Sequence, residues 1–193
     1  MKIGVYCGSF DPVHNGHIQI AKHCLSLVDK VLFIPTGNYW SKNLTFSLDD
    51  RIEMLKLVIE DNMEVDTIHN KLKYTAQIFN VLNEKYPNIE FCLIIGDDNL
   101  ERFHEWYLYK YLTSFNIIIV RRKLTKKKIL KVIAKQNITN YSILDIEPIE
   151  ISSTYIRENI LDYDKIKDMI SEKVYNYIKE KYNWKKENIY QKK

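Results

Sequence analysis

The sequence predicts an α/β fold built on a parallel sheet, and three observations point to it. Short apolar runs rich in Ile, Val and Phe recur along the chain, segments with helical spacing lie between them, and a polar, glycine-containing loop follows the first run. Strands that are buried on both faces of a parallel sheet show such continuous apolar runs. The alternation of strand and helix favours right-handed crossovers and ligand binding at the carboxyl ends of the strands.

The apolar runs give the predicted strands. Four runs are strong, whereas the third and the sixth carry more polar residues and are weaker predictions. In chain order the six runs cover residues 2–7, 30–35, 63–69, 90–95, 116–121 and 141–146.

Helical spacing of apolar side chains gives the predicted helices. It extends from Ile18 to Val28, from Ile52 to Ile59 and from Ile78 to Leu82, and the stretch from Thr154 to Lys181 is typical of two further helices. The chain has no internal repeat and no Gly/Ser linker. We therefore expect one domain over 1–182, in which the C-terminal helices of 152–182 pack on the rest, and a frayed basic tail over 183–193.

Composition excludes several classes of protein. The net charge of +4 lies largely at the C-terminus, so the composition does not indicate a basic stripe for nucleic acid. A site for a small anion needs only a few basic residues and is compatible with this charge. The three cysteines are an odd number and include no C-x-x-C, so they do not form a disulfide framework. We therefore expect the protein in a reducing cytoplasm. The chain shows no signal-peptide pattern and no apolar run long enough to span a membrane, so we expect no membrane partner.

The stretch "GSFDPVHNGH" at 8–17 leaves the first predicted strand. Gly8 and Gly16 permit close backbone approach, and Pro12 fixes a turn before a helix that begins near Asn15. The first N–H groups of that helix have no partner within it, which suits a phosphate. No P-loop and no G-x-G-x-x-G is present.

Two histidines in this stretch are candidates for the same site. His14 and His17 are three residues apart and can lie on one side of the first helical turn. Their rings could donate hydrogen bonds to phosphate oxygens. They could instead supply two ligands to a metal or satisfy backbone groups of the loop, and the residues alone leave these alternatives open.

A second motif, "ISSTYIR" at 151–157, also suits an anion. Its Ser and Thr residues are good N-caps for the following helix. We expect Arg157 in the first turn, where the helix dipole disfavours a cation by about 0.3–1 kcal/mol unless an anion binds beside it. A surface ion pair with Glu158 is the alternative.

These two motifs resemble the (T/S)-F-D-P-x-H-x-G-H and I-S-S-T-x-I-R signatures of the HxGH nucleotidyltransferase superfamily. Nearly the whole chain is similar to the bacterial nicotinate-nucleotide adenylyltransferases. The stretches that carry this similarity are "IPTGNYWSKN", "DDRIEMLKLVIED", "KYTAQIFNVL", "LIIGDDNL", "FHEWYLYKYL" and "IIVRR". Two departures are clear, because the family's Pro-Pro-His is missing before Lys42 and Lys73 replaces its usual Ser.

The resemblance implies a Rossmann-like, doubly wound parallel sheet with helices on both faces and a small C-terminal helical part. It also implies that the 5′-phosphate of nicotinate mononucleotide attacks the α-phosphorus of ATP, which gives nicotinate adenine dinucleotide and pyrophosphate. Mg²⁺ is expected on the ATP phosphates. This reaction belongs to NAD biosynthesis.

The resemblance assigns candidate residues to three roles. The catalytic candidates are His14, His17, Lys42 and Arg157. The ATP-binding candidates are Gly8, Ser9, Phe10, His17, Gly96, Asp98, Ser153 and Arg157. The mononucleotide candidates are Asp11, Thr75, Trp106 and Tyr107, with the Trp106 ring stacked on the pyridine ring, whereas Tyr109 and Leu112 of the same stretch are expected in the core.

Other functions stay open at this point. A phosphopantetheine adenylyltransferase or a cytidylyltransferase would share the first motif, and a non-catalytic nucleotide-binding regulator is a further alternative. The sequence does not decide between nicotinate and nicotinamide mononucleotide. It is also compatible with a homo-oligomer.

Overall fold

The computed structural model describes residues 1–37, 44–147 and 149–182, and a sheet of parallel strands lies at its centre. The strands are β1 (Lys2–Gly8), β2 (Lys30–Pro35), β3 (Met63–Val65), β4 (Glu90–Gly96), β5 (Asn116–Arg121) and β6 (Tyr141–Asp145).

The order of the strands in the sheet is β3-β2-β1-β4-β5-β6, and every neighbouring pair is parallel. The chain first adds strands on one side of β1 and then crosses to the other side to add β4. The carboxyl ends of β1 and β4 therefore flank a topological switch point, where open α/β sheets bind ligands.

Helices connect the strands and cover the sheet. They are α1 (Asn15–Cys24), α2 (Leu48–Lys56), α3 (Thr75–Lys85), α4 (Asp97–Glu101), α5 (Tyr109–Leu112), α6 (Lys126–Lys135), α7 (Ser153–Glu158), α8 (Tyr163–Ile166) and α9 (Glu172–Tyr182). Short 3₁₀ turns occupy His69–Lys71 and Phe103–Glu105. No helix in the described ranges has the length and apolar character needed to cross a bilayer.

Two apolar clusters, one on each face of the sheet, form the core. Along β5 the side chains of Ile118 and Val120 join one cluster with α1, α2 and α7–α9, while Ile117 and Ile119 join the other with α3 and α6. Successive side chains of a strand point to opposite faces, so this division means that both faces are covered. The prediction of a doubly wound α/β sheet is confirmed.

A buried carboxylate joins the last helix to the start of α2. Asp50 accepts hydrogen bonds from Ser47 Oγ (2.5 Å) and Tyr177 Oη (2.8 Å), and also from Lys181 and Tyr182. Burial by itself would raise the pKa of Asp50, but the hydrogen bonds outweigh it and hold the pKa well below its ordinary value. This cluster fixes α9 against the segment that follows β2.

Two element boundaries differ from the prediction. β3 ends at Val65, because the Asp66 carboxylate accepts the N–H groups of Ile68 (2.8 Å) and His69 (2.7 Å) and so turns the chain. The C-terminal part contains three helices instead of two, since the chain turns at Asn159, whose carbonyl accepts the N–H of Asp162 (2.9 Å). The predicted tail over 183–193 lies outside the described residues.

Candidate active site

The loop after β1 is shaped by the ring of Phe10. This residue has a φ of 47°, in the left-handed region that is rare for a bulky side chain, and its ring is 2% exposed. The ring packs edge-on against Tyr6 (5.4 Å between centroids), Phe33 (5.4 Å) and His17 (5.0 Å). A Cβ on Gly8 would lie 2.9 Å from this ring, so only glycine fits there. Burial of the Phe10 ring thus holds the loop in its turn.

Two motifs that are separated by about 140 residues meet at this loop. The Ser153 hydroxyl donates to the Pro12 carbonyl (2.9 Å), and Arg157 Nη1 donates to the Asp11 carbonyl (2.6 Å). The peptide bond between Asp11 and Pro12 is cis. The end of β1 and the start of α7 therefore form one surface.

Arg157 lies in the last turn of α7, not in the first turn as expected. The expectation was wrong because α7 has only six residues, with Ser152 as its N-cap. The helix dipole therefore does not disfavour the guanidinium. Its Nη2 donates to Thr154 Oγ1 (3.2 Å), and the side chain stays 25% exposed towards the cavity described below.

Asp11 has a structural task. Its buried carboxylate accepts the N–H groups of Thr45 (2.9 Å) and Phe46 (2.9 Å), which ties the segment after β2 to the loop after β1. Arg51 braces the same two loops. Its Nη1 donates to the carbonyls of Ser9 (2.5 Å) and Thr36 (2.8 Å).

Arg51 is a structural residue that the sequence analysis did not identify. It is 1% exposed, and burial lowers the pKa of its guanidinium, an effect that nearby Asp11 opposes. An arginine within an amphipathic helix ordinarily indicates a solvated face, so its position between Asp50 and Ile52 did not reveal a buried brace.

The two histidines stack at the start of α1. Their ring centroids are 3.6 Å apart, and the backbone N–H of His14 donates to Nδ1 of the His17 ring (3.2 Å). Burial lowers the pKa of His14 to about 3, with Arg122 adding to the effect. Burial, His14 and Arg122 also hold the pKa of His17 well below its ordinary value. Both rings are therefore neutral near pH 7, and each can donate one ring N–H.

The N–H groups at the start of α1 are less free than predicted. The N–H of Asn15 donates to the carbonyl of Met169 (2.9 Å), and that of His17 donates to the carbonyl of His14 (2.9 Å). The expectation of an open helix N-terminus was wrong at Asn15, because the segment before α9 caps it. The backbone of the loop and the ring of His17 remain for an anion.

A cavity of about 620 Å³ opens at the carboxyl ends of β1, β4 and β5. It is lined by all the candidate residues except His14, which lies behind His17, and Lys42, which falls outside the described residues. The lining candidates are Gly8, Ser9, Phe10, Asp11, His17, Thr75, Gly96, Asp98, Trp106, Tyr107, Ser153 and Arg157.

A second buried carboxylate shapes the wall after β5. Asp97 is fully buried, and its Oδ2 accepts the N–H groups of Arg122 (2.9 Å), Lys123 (2.8 Å) and Leu124 (2.7 Å). Its neighbour Asp98 is exposed to the cavity and lies so close to Gly96 that a Cβ there would collide with its carboxylate. The adjacent acids after β4 therefore divide into a structural one and one that faces the cavity.

Arg122 is a cavity residue that sequence reasoning missed. It lines the cavity, and its charge is close enough to lower the pKa of both histidines. The preceding Arg121 instead pairs with Asp145 at the far side of β5. The pair of arginines at the end of a predicted strand was a usable signal, but local sequence did not tell which one faces the cavity.

Aromatic rings from the segments around α3 and α5 form another part of the cavity wall. Tyr74 and Tyr107 stack with centroids 4.5 Å apart, and Trp106 packs edge-on against buried Phe103 at 5.3 Å. Thr75 begins α3 on the same wall.

Tyr109 and Leu112 of this stretch pack in the core, as expected. Leu112 is fully buried, and Tyr109 packs against Phe103 (6.1 Å). The cavity thus combines a polar end, next to the two motifs, with an aromatic end that can hold a flat ring.

Comparisons with known proteins agree with this geometry. The family profile described as cytidylyltransferase-like matches residues 5–159. Two relatives named "Probable nicotinate-nucleotide adenylyltransferase" are similar along most of the chain: the Flavobacterium psychrophilum protein is 36% identical and the Caldicellulosiruptor saccharolyticus protein 35% identical, and each comparison covers 92% of this chain and 96% of the relative.

A solved structure has the same fold. It is described as Plasmodium falciparum nicotinic acid mononucleotide adenylyltransferase complexed with NaAD, and the comparison gives a TM-score of 0.79 at 23% identity, covering 94% of this chain and 96% of that one. The chain therefore belongs to the cytidylyltransferase-like family and, within it, to the nicotinate-nucleotide adenylyltransferases.

Proposed function

We infer that this protein condenses nicotinate mononucleotide with ATP to give nicotinate adenine dinucleotide and pyrophosphate, a step of NAD biosynthesis. The observation that carries this function is one cavity whose lining joins the arginines beside the two motifs to a group of aromatic rings. Its 620 Å³ can hold the reacting parts of two nucleotides, partly open to solvent. The two relatives of this name reported above match the chain at 35–36% identity along most of its length.

The reaction is a displacement at the α-phosphorus of ATP. An oxygen of the mononucleotide's 5′-phosphate forms a bond to that phosphorus as the bond to the bridging α–β oxygen breaks, and pyrophosphate carries away the electron pair. Such transfers need alignment of the attacking and leaving oxygens and compensation of negative charge, with little covalent help from the protein.

The cationic end of the cavity is suited to the triphosphate. The guanidinium groups of Arg122 and Arg157 can pair with phosphate oxygens in bidentate fashion, and backbone N–H groups of 8–10 lie at the same end. The Ser153 hydroxyl also lines this end, and by donating to the Pro12 carbonyl it holds the loop in place. Neutral His17 donates a ring N–H to charge that develops on the phosphates. We assign His14 the task of orienting His17, because it stacks on that ring and lies outside the cavity lining.

The aromatic end is suited to the mononucleotide. Trp106 offers a ring face for the pyridine, while Tyr107 and Thr75 offer backbone and hydroxyl hydrogen-bonding groups on the same wall. Asp98, exposed after β4, is placed to accept hydrogen bonds from ribose hydroxyls of the adenosine. Lys42 keeps the role expected from the resemblance, as a further cation for the triphosphate.

We propose that Mg²⁺ enters with ATP as part of the substrate. No group of three or more His, Cys, Asp or Glu residues in the described ranges is arranged to hold a metal ion, so its ligands would be mainly phosphate oxygens and water. Bound there, the ion neutralises charge on the triphosphate.

We also propose that the protein works in the cytoplasm. Cys7, Cys24 and Cys92 are all free thiols, and the last two are buried. Such a set is typical of proteins that fold in a reducing compartment.

A pyrophosphate-release assay with ATP and four acceptors tests the function. The acceptors are nicotinate mononucleotide, nicotinamide mononucleotide, phosphopantetheine and glycerol phosphate. We expect turnover with a pyridine mononucleotide and isolation of the matching dinucleotide. Turnover with phosphopantetheine, or with glycerol phosphate and CTP in place of ATP, would show that the protein has another activity of the superfamily. ATP binding without pyrophosphate release would indicate a regulator.

A matched pair of variants ties the activity to the cavity. His17→Ala should lower kcat by about 10²-fold or more, the range seen when a preorganised charge-stabilising donor is removed. His23→Ala, an exposed histidine on the same helix and outside the cavity, should keep normal turnover. Both proteins should retain the wild-type circular dichroism spectrum. A His17→Ala enzyme that turns over as fast as His23→Ala would refute the role of His17.

A further inference from the structure

The cations that line the cavity separate into two groups. Arg122 and Arg157 stand at the end formed by β1, β5 and α7, next to the predicted triphosphate position. Lys73 stands on the aromatic wall instead, in the segment that leads into α3. A cation that stands beside these aromatic rings can pair with an anionic group at that end of the ligand.

The surroundings of Lys73 leave its ammonium available to a ligand. Its Nζ lies 5.0 Å from the centroid of the Tyr74 ring, which stacks on Tyr107 next to Trp106. Among the described residues no carboxylate forms an ion pair with Lys73. Glu105, which precedes Trp106, is occupied by Arg102 (2.7 Å).

From this placement we propose that Lys73 determines specificity for the anionic pyridine ring, that is, for nicotinate over nicotinamide mononucleotide. The inference rests on the proposed function and names the substrate class of the same site. The two mononucleotides differ only in whether the ring carries a carboxylate or a neutral amide. An ammonium beside the ring attracts the carboxylate and gives the neutral amide no comparable charge interaction.

The size of the effect follows from the exposure of Lys73. Its side chain is exposed, so water and salt screen its charge and the pair is weaker than a buried one. The cavity wall acts against this screening, because a cleft with low-dielectric walls concentrates the electric field of the ammonium. We expect Lys73 to contribute about five- to tenfold to the ratio of kcat/KM values for the two mononucleotides.

Three variants test the proposal through that ratio. Lys73→Met removes the charge and keeps most of the side-chain length, Lys73→Arg retains the charge, and Lys110→Met removes an exposed lysine of α5 that does not line the cavity. Steady-state pyrophosphate release is measured with each mononucleotide at saturating ATP. Affinity for the two dinucleotide products is measured in parallel by calorimetry.

The expected result is a five- to tenfold loss of kcat/KM for nicotinate mononucleotide in Lys73→Met, with the nicotinamide value changed by less than twofold. Lys73→Arg and Lys110→Met should keep the wild-type ratio, and only Lys73→Met should lose affinity for the acidic dinucleotide.

Equal losses with both mononucleotides would overturn the proposal, because they would assign Lys73 to the shared phosphate or ribose, and so would an unchanged ratio. Wild-type protein that releases no pyrophosphate with either mononucleotide would instead refute the proposed function itself, and the specificity of Lys73 with it.

Discussion

At the scale of single residues, the stacked histidines make the stability of the protein depend on pH. Burial lowers the pKa of His14 to about 3 and that of His17 well below 6.5, whereas both titrate near 6.5 in the unfolded chain. Below pH 6.5 the unfolded chain binds protons that the folded chain does not bind. The two buried neutral rings therefore contribute fully to the stability of the fold above pH 6.5, and this contribution is lost as the pH falls towards 3.

Urea unfolding at pH 7.0 and pH 5.5 measures this effect. Between these values the wild-type protein should lose about 2–3 kcal/mol more unfolding free energy than the double variant His14→Asn, His17→Asn, in which neither group titrates. Acids elsewhere titrate alike in both proteins, so the comparison isolates the two rings. Parallel losses in wild type and variant would mean that the rings titrate in the fold as they do in the unfolded chain, and the claim that burial keeps them neutral would have to be abandoned.

The roles of two arginines could not be predicted from the sequence. Arg51 and Arg122 occur in stretches that we recognised, yet neither received a role, because a charged residue beside apolar ones ordinarily faces solvent. What makes Arg51 a brace is a pair of carbonyls 42 and 15 positions away in the chain. Such partners are created by the fold and leave no local pattern.

At the scale of elements, the buried carboxylate of Asp50 couples the last helix to the loops of the site. Asp50 lies in the first turn of α2 and accepts hydrogen bonds from Tyr177, Lys181 and Tyr182 of α9. The next residue, Arg51, holds the loops that follow β1 and β2. Loss of this carboxylate should therefore weaken the docking of α9 and loosen the loops together.

We predict that Asp50→Ala lowers the unfolding free energy by about 2–3 kcal/mol, because the half-buried Tyr177 hydroxyl and the Lys181 ammonium lose their buried acceptor. Asp49→Ala, an exposed acid one position earlier, should change it by less than about 0.5 kcal/mol. Chemical denaturation of the two variants measures the difference. Equal stabilities would show that Asp50 does not hold α9 in place.

The elements also differ in how well the sequence predicted them. β1, β2, β4 and β5 agree with their apolar runs to within about a residue, because strands covered on both faces need apolar side chains at every position. β3 was predicted too long, since its end depends on an Asp66 turn that the weak apolar pattern passes over. The break between α7 and α8 was missed for the same kind of reason.

At the scale of the whole molecule, the strand order explains why distant motifs form one site. The reversal between β1 and β4 opens a crevice at their carboxyl ends, and the chain after β6 returns over it to bring α7 against the β1 loop. The resemblance of the two motifs predicted that they act together. The chain pattern alone could not, because hydrogen bonds such as that from Arg157 to Asp11 link residues 146 positions apart.

The central claim is that this one crevice holds the triphosphate and the mononucleotide at once, and a crystal structure with both bound tests it most directly. With a non-hydrolysable ATP analogue and nicotinate mononucleotide, phosphate oxygens should lie within hydrogen-bond distance of both His17 and Arg157, and the pyridine ring should stack on Trp106. The attacking phosphate oxygen should stand about 3–3.5 Å from the α-phosphorus, in line with the leaving oxygen. A triphosphate that touches neither His17 nor Arg157, or a mononucleotide bound away from the aromatic wall, would contradict the account.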